Sequence, residues 1–393
     1  MTQAPDQSRM KTLLERLVGF NTENPPGQEV EAARFILAEL QALGCRAEAV
    51  DVLPGRTNVA GVFENGPGPI FAFNTHIDVV PAGEGWATDP FRLHEDGGRL
   101  YGRGSCDAKG PLVGMLEAMR LLIDARDGWS GTLIGVFVAD EEAASMGAKA
   151  YVKTAPDIDY CIIGEPTSCT TFTAHKGCLR PIVRVGGETA HSGMPDLGVN
   201  AILGAAPFLT LVAAEHERLK AQHHELVGSP SITVTRAMGG HADNVVPDAC
   251  EFMLDRRMVP GEDEATVRRE LDALVAQAAR EGNVEVEITE FRETTGPATE
   301  TAADRPVVGL AQDACRRHNG VETPLAGLGG GCDLVHFRSI GAEGVVMGPG
   351  SLAVAHQPNE FVPVDELLRV ANIYHDVAHG TLTGAGPERV RQG

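Results

Sequence analysis

Apolar residues recur along this chain with two different periods, and the periods alternate. Positions 10–17 and 29–43 carry apolar residues at helical spacing, and Asn24, Pro25, Pro26 and Gly27 break the chain between them. Short apolar runs at 70–73, 132–138 and 160–163, each bounded by polar residues or glycine, read as buried strands. Positions 112, 113, 116, 119, 122 and 123 place an apolar stripe on a helix between the first two runs. Strand, helix and strand in alternation predict an α/β fold with a mostly parallel sheet flanked by helices.

The middle of the chain has another order. Strands are predicted at 181–185, 231–237, 249–258 and 284–291, with helices at 199–219 and 264–280. The sequence β-α-β-β-α-β is the ferredoxin-like pattern, and about 115 residues suffice for a small domain of that kind. Helices at 302–318 and 364–379 and a strand at 344–347 then restore the α/β character. The expected organisation is an α/β domain in two segments, 1–178 and 297–393, with a ferredoxin-like domain inserted at 179–296. A chain of 393 residues exceeds one ordinary core, which agrees with two domains.

Charge and cysteine usage narrow the class. A net charge of −21 repels phosphate backbones, so nucleic acid is not an expected partner. No basic stretch followed by an apolar run opens the chain, and no run of membrane-spanning length is present, so neither a leader nor a membrane partner is expected. The eight cysteines are scattered without a C-x-x-C pair, which suits free thiols and a cytoplasmic location.

Three of the predicted strands end in potential metal ligands: His76 and Asp78 after the first, Asp140, Glu141 and Glu142 after the second, Glu165 after the third. Ligands collect at the carboxyl ends of strands in open α/β sheets, so these ends point to one site. His76 and Asp78 face the same side of an extended chain, where a carboxylate can fix the imidazole tautomer. Adjacent carboxylates at 140–142 repel one another unless a cation offsets them; one can ligate metal while its neighbour serves as general base. A solvated strand end is the plainer account of that run. Asp107, in the Gly-rich stretch 102–110, can bridge two cations or simply cap the helix that follows. His356 is a loop histidine taken alone, and a second imidazole taken in company. Imidazole and carboxylate donors without thiolate suit zinc, with cobalt or manganese as substitutes.

Five blocks, H-I-D-V-V-P (76–81), G-R-G-S-C-D-A-K-G (102–110), D-E-E (140–142), I-G-E-P-T (163–167) and A-H-Q-P-N-E (355–360), resemble the signatures of one family. It is the acetylornithine deacetylase, succinyl-diaminopimelate desuccinylase, aminoacylase and carboxypeptidase G family of dinuclear zinc hydrolases. The resemblance implies that Asp107 bridges two metal ions, most simply Zn2+, with His76 and Glu165 completing one site and Glu142 and His356 the other. It implies that Glu141 is the general base, that Asp78 orients His76, and that the peptide bond after Asp107 is cis. In the inserted domain, T-A-H-S-G (189–193) implies that His191 stabilises a substrate oxyanion, in relatives across a subunit boundary. A homodimer through that domain, which also acts as a lid, is therefore expected. The segment D-R-R-M-V-P (255–260) implies an arginine for the substrate carboxylate, Arg257 or its neighbour Arg256, and Asn244 and Asp333 are further substrate contacts on the same ground. The expected reaction is hydrolysis of the amide bond of an N-acyl amino acid by metal-activated hydroxide. A dipeptidase or carboxypeptidase of the same chemistry is the alternative.

Overall fold

The computed structural model describes residues 4–384. The outermost parts of the two expected α/β segments, 1–3 and 385–393, and with them the first positions read for a leader, lie outside the described residues. The chain divides into two compact units. One comprises the residues up to Ala174, Glu300–Gly327 and those from Cys332 on; the other comprises His175–Thr299 and Leu328–Gly331.

The first unit is built on a nine-stranded mixed sheet. Its centre is parallel: Gly131–Val138, Ile70–His76, Tyr160–Ile163 and Glu343–Val346 lie side by side in that order. These strands are buried on both faces, which is why they read as continuous apolar runs. Helices Lys109–Asp124, Val364–Thr383 and Pro306–Asn319 belong to the same core as these strands. Lys109–Asp124 is buried along almost its whole length, because it packs against both the sheet and Val364–Thr383. Gly114 marks the closest approach of those two helices: a Cβ there would lie 2.7 Å from Val370 Cγ1. Outside the parallel centre the sheet is antiparallel. Arg46–Leu53 and Arg56–Asn65 form a hairpin at one edge, and Phe172–His175 pairs antiparallel beside Glu343–Val346. The hairpin carries no clear strand signal, because Arg46–Leu53 is largely exposed along its length and Arg56–Asn65 opens on the buried polar residues Arg56, Thr57 and Asn58.

The second unit is a four-stranded antiparallel sheet in the order Ser231–Gly239, Ala249–Met258, Gly177–Gly186, Val286–Arg292. By chain order that is 2-3-1-4, the ferredoxin-like arrangement of the β-α-β-β-α-β pattern. Helices Ala206–Leu219 and Glu264–Gly282 pack on each other and on the sheet around Phe208, Leu254, Leu271 and Val275. The helix expected over 199–219 is two, Ala201–Gly204 and Ala206–Leu219. Pro207 sits in the first turn of the longer one, where its missing N–H costs least and where it interrupts a continuous ladder.

His175 gives this unit an acid sensitivity. It is fully buried, its Nδ1 lies 2.9 Å from the Lys176 carbonyl, and its Nε2 has no partner. Burial holds the imidazole down at about 4, so the folded chain refuses a proton that the unfolded chain accepts near 6.5. Its contribution to stability is complete above pH 6.5 and is lost as pH falls toward 4, at up to about 1.4 kcal/mol per pH unit. His175→Leu is expected to flatten that part of the stability curve. Parallel melting-temperature profiles for the two proteins between pH 7 and 4.5 would show the idea to be wrong.

Candidate metal centre

Three adjacent parallel strands, Gly131–Val138, Ile70–His76 and Tyr160–Ile163, bring their carboxyl ends to one rim of the sheet. His76 ends the middle strand, Glu141 and Glu142 follow the first, and Glu165 follows the third. The fourth contribution is the turn before helix Lys109–Asp124. The helix is capped at Ala108 without a side-chain bond, so Asp107 is not its N-cap, and the peptide bond after Asp107 is cis. The Asp107 carboxylate instead faces two imidazoles: Oδ1 lies 3.3 Å from His76 Nε2 and Oδ2 lies 3.2 Å from His356 Nε2. His356 Nε2 is also 3.1 Å from Glu142 Oε2.

The donor chemistry fits divalent cations. His76, Asp107 and Glu142 offer ligand atoms within 4.8 Å of one another, and so do His76, Glu141 and Glu165. Glu142 Oε1 is buried with no hydrogen-bond partner. Burial and neighbouring carboxylates push the pKa values of Glu141 and Glu165 well up and that of Glu142 up. Burial also pushes the Asp107 carboxyl up, but its bonds from His356 and His76 outweigh this and hold it well below the usual range. His356 rises to about 10 through its bonds to Asp107 and Glu142. Several buried carboxylates around two imidazoles, with an orphaned oxygen among them, form a site that bound cations would stabilise.

Asp78 does something other than the spacing suggested. His76 Nδ1 meets the main-chain carbonyl of Asp78 at 2.8 Å, while the nearest carboxylate oxygen is 3.8 Å away. The carboxylate is turned to the next strand, where Oδ1 accepts the Glu141 amide at 3.1 Å and Oδ2 the Glu142 amide at 3.3 Å. Two residues apart on an extended chain permits both contacts; the amide donors that follow the neighbouring strand decide between them. The tautomer of His76 is thus set by a backbone carbonyl, and Asp78 orders the turn carrying Glu141 and Glu142.

Two groups of residues escaped the sequence reading. Glu360, fully buried, accepts the amides of Cys106 and Asp107 through Oε1 at 2.9 and 3.0 Å and pairs through Oε2 with the buried Arg103. One side chain therefore ties the Asp107 turn to the loop bearing His356. Its block was recognised, but no spacing indicated what it binds. The second group, Asn24, Glu29 and Arg56, lies behind Asp78 and Asp140, and nothing in its spacing marks it.

Asp333 is buried, and burial raises it to about 7 against the opposing effects of His76 and the nearby Ser145 hydroxyl. His76, Asp78 and Asp140 act on it electrostatically, so it belongs to the surroundings of the carboxylate cluster.

The second unit holds the remaining candidates. Strand Ala249–Met258 alternates strictly in burial, and Arg256 falls on its buried side with Leu254 and Met258. Arg256 is committed to Glu262 and to the Arg257 carbonyl. Arg257 lies on the opposite side, part-exposed and bonded to Asp255 at 2.6 Å, so it is the one with a guanidinium within reach of solvent. His191 and Asn244 are exposed neighbours: His191 bridges to Val245, and the Asn244 carbonyl accepts the Ser192 amide. The Gly193 amide donates to His191 Nδ1, which leaves Nε2 for an outside group.

Comparison with known proteins agrees with this geometry. Residues 72–380 match the model of peptidase family M20/M25/M40. The acetylornithine deacetylase of Myxococcus xanthus is 35% identical over 385 residues, covering 94% of this chain and 97% of that protein. A tripeptidase from Staphylococcus aureus subsp. aureus mu50 has the same fold, with a TM-score of 0.77 at 21% identity over 96% of this chain and 100% of its own. So does a dinuclear metal-binding peptidase of the M20 family from Bacillus subtilis, with a TM-score of 0.72 at 20% identity over 96% of this chain and 98% of its own. From its match over most of its length, and from a carboxylate–imidazole cluster at the rim of its sheet, this chain belongs to peptidase family M20/M25/M40 and is a metal-dependent hydrolase of amide bonds.

Proposed function

We propose that this chain is a two-zinc deacylase that hydrolyses the amide bond of an N-acyl amino acid, releasing a carboxylate and the free amino acid. The observation that carries the reading is the Asp107 carboxylate with one imidazole on each oxygen. In this reading Asp107 would be shared by the two ions, His76 and Glu165 would hold one, and Glu142 and His356 would hold the other. Bound zinc supplies Lewis acidity and lowers the pKa of the attacking water. Glu141, beside His76 and Glu165, accepts the water proton and passes it to the leaving amine. Asp78 holds the Glu141 amide, so that the base is presented in one direction.

The second unit is proposed to recognise substrate. Arg257 binds the free carboxylate as a forked pair, His191 Nε2 donates to the developing oxyanion, and Asn244 is a further contact. Asp333 is proposed to act on the cluster through its charge. A homodimer through this unit is supported by apolar side chains left exposed on it, among them Leu197, Leu203, Leu209 and Met238, and by the free edge of strand Ser231–Gly239. Eight free, buried cysteines support a cytoplasmic location. Among the described residues, no helix is long and apolar enough to cross a membrane.

A panel of N-acetyl-amino acids, N-succinyl-amino acids and dipeptides, assayed with the zinc-loaded chain, tests the substrate class. Acyl substrates are expected to be preferred, in line with the acetylornithine deacetylase relative. Preference for dipeptides would replace this reading with that of a dipeptidase or carboxypeptidase of the same chemistry.

A further inference from the structure

Behind the strand ends lies a buried polar network that precedes residue 72, where the family match begins. Arg56, Glu29 and Asn24 are 6%, 0% and 7% exposed. The Arg56 Nε donates to both Glu29 oxygens at 2.8 and 2.9 Å, and Nη1 donates to Asn24 Oδ1 at 3.2 Å. Asn24 Nδ2 in turn donates to Asp78 Oδ2 at 2.8 Å and Asp140 Oδ1 at 3.2 Å. The remaining arm of the guanidinium, Nη2, lies 3.0 Å from Asp140 Oδ1 and 3.7 Å from Asp78 Oδ2, in charge contact without an aligned hydrogen bond. Gly27 passes directly over this guanidinium: a Cβ there would fall 2.2 Å from Arg56 Cζ.

We propose that Arg56 is a positioning residue for the reaction, acting through Asn24, Asp78 and Asp140 on the turn that presents Glu141 and Glu142. Asp78 and Asp140 flank that turn. Asp78 accepts the amides of both glutamates, and Asp140 takes a φ of +71°, a conformation that its surroundings must hold. Both carboxylates are buried among other acids, and Arg56 is the cation in contact with both. A planar fork suits the arrangement: one arm grips Glu29, a second fixes the Asn24 amide, and the third faces the acids. Glu29 sets the guanidinium plane, and Asn24 carries that orientation to Asp78. Loss of the fork frees the turn without removing any residue that touches substrate or metal.

The proposal rests on Glu141 and Glu142 acting as base and ligand, and its test separates the two ideas. Arg56→Gln, Arg56→Lys and Asn24→Ala are compared with the parent in the full-length chain. Readouts are kcat and KM on an N-acetyl-amino acid, affinity for each zinc equivalent by calorimetry, and melting temperature. Arg56→Gln is expected to lower kcat and weaken one zinc equivalent, each by roughly 10–100-fold, the usual effect of losing an outer-shell partner. KM should stay within about threefold, since no substrate contact is lost. Arg56→Lys should recover part of both losses. Asn24→Ala, which removes no charge, should reproduce the loss of kcat and of zinc affinity in a folded chain whose melting temperature is lowered by the loss of three buried hydrogen bonds. Parental kcat and zinc affinity in Asn24→Ala and in the Arg56 variants that fold would overturn the proposal; if no Arg56 variant folds, Asn24→Ala decides alone. Zinc titration requires no substrate, so an error in the substrate class leaves this readout intact, whereas an error about Arg56 removes it.

Discussion

Glu141→Gln is expected to lower kcat by roughly 10²–10⁴-fold, the range of a general acid–base contribution. Zinc content should remain at two per chain. The glutamine keeps the size of the side chain and its main-chain bond to Asp78, so the turn survives and only proton transfer is lost. The environment suits the task. Burial, with Glu165 and other carboxylates nearby, raises the Glu141 carboxyl well above its ordinary value, and His76 opposes that rise. A base with raised affinity for a proton takes it from water more readily and still returns it to an amine. Single-turnover kinetics with metal analysis on the same sample check this. Parental turnover in the variant ends the assignment of Glu141 as base.

Asp107→Ala should have the other large effect, on metal rather than on the proton. Removing a bridging carboxylate takes a ligand from both ions, so the loss in affinity should exceed the roughly 10–100-fold typical of an outer-shell change. Zinc per chain should fall below two at micromolar free metal, and turnover should fall with it. Metal uptake by the parent chain should also depend on pH in a definite direction. Without bound cations, burial and mutual repulsion hold the pKa values of Glu141, Glu142 and Glu165 above the ordinary carboxylate range. A bound cation favours their ionised forms, so binding releases protons and affinity rises with pH. Calorimetry in two buffers of different ionisation enthalpy measures that release. Two tightly bound zinc ions in Asp107→Ala would refute the bridging role.

The most legible parts of the molecule were those written in local periodicity. Apolar runs located the central strands because both faces of each are buried, and Ala249–Met258 alternates because only one of its faces lies on the core of its unit. The order of elements in the second unit was enough to predict its sheet, since the β-α-β-β-α-β pattern has one common packing. In the hairpin, Arg46–Leu53 is an exposed edge strand with no buried alternating face, and Arg56–Asn65 opens on the buried polar residues Arg56, Thr57 and Asn58, which hide its burial from an apolar pattern. Five motif blocks name the residues around Asp107, and the structure brings His76, Glu142 and His356 to it or beside it.

What the sequence determined by itself is which faces are buried and which residue types stand at strand ends, because burial acts on neighbours along the chain with the period of the element. Which polar group meets which was decided by tertiary structure. That the Arg257 guanidinium reaches solvent and that of Arg256 does not follows from which side of the strand the core covers. The turning of the Asp78 carboxylate from His76 to the next strand follows from where the Glu141 and Glu142 amides arrive. Glu360 reaches the Asp107 turn across some 250 residues of chain, and Asn24 reaches Asp140 across more than 100. Such contacts leave no periodic trace, since a buried hydrogen bond depends on direction and distance in space and not on spacing along the chain.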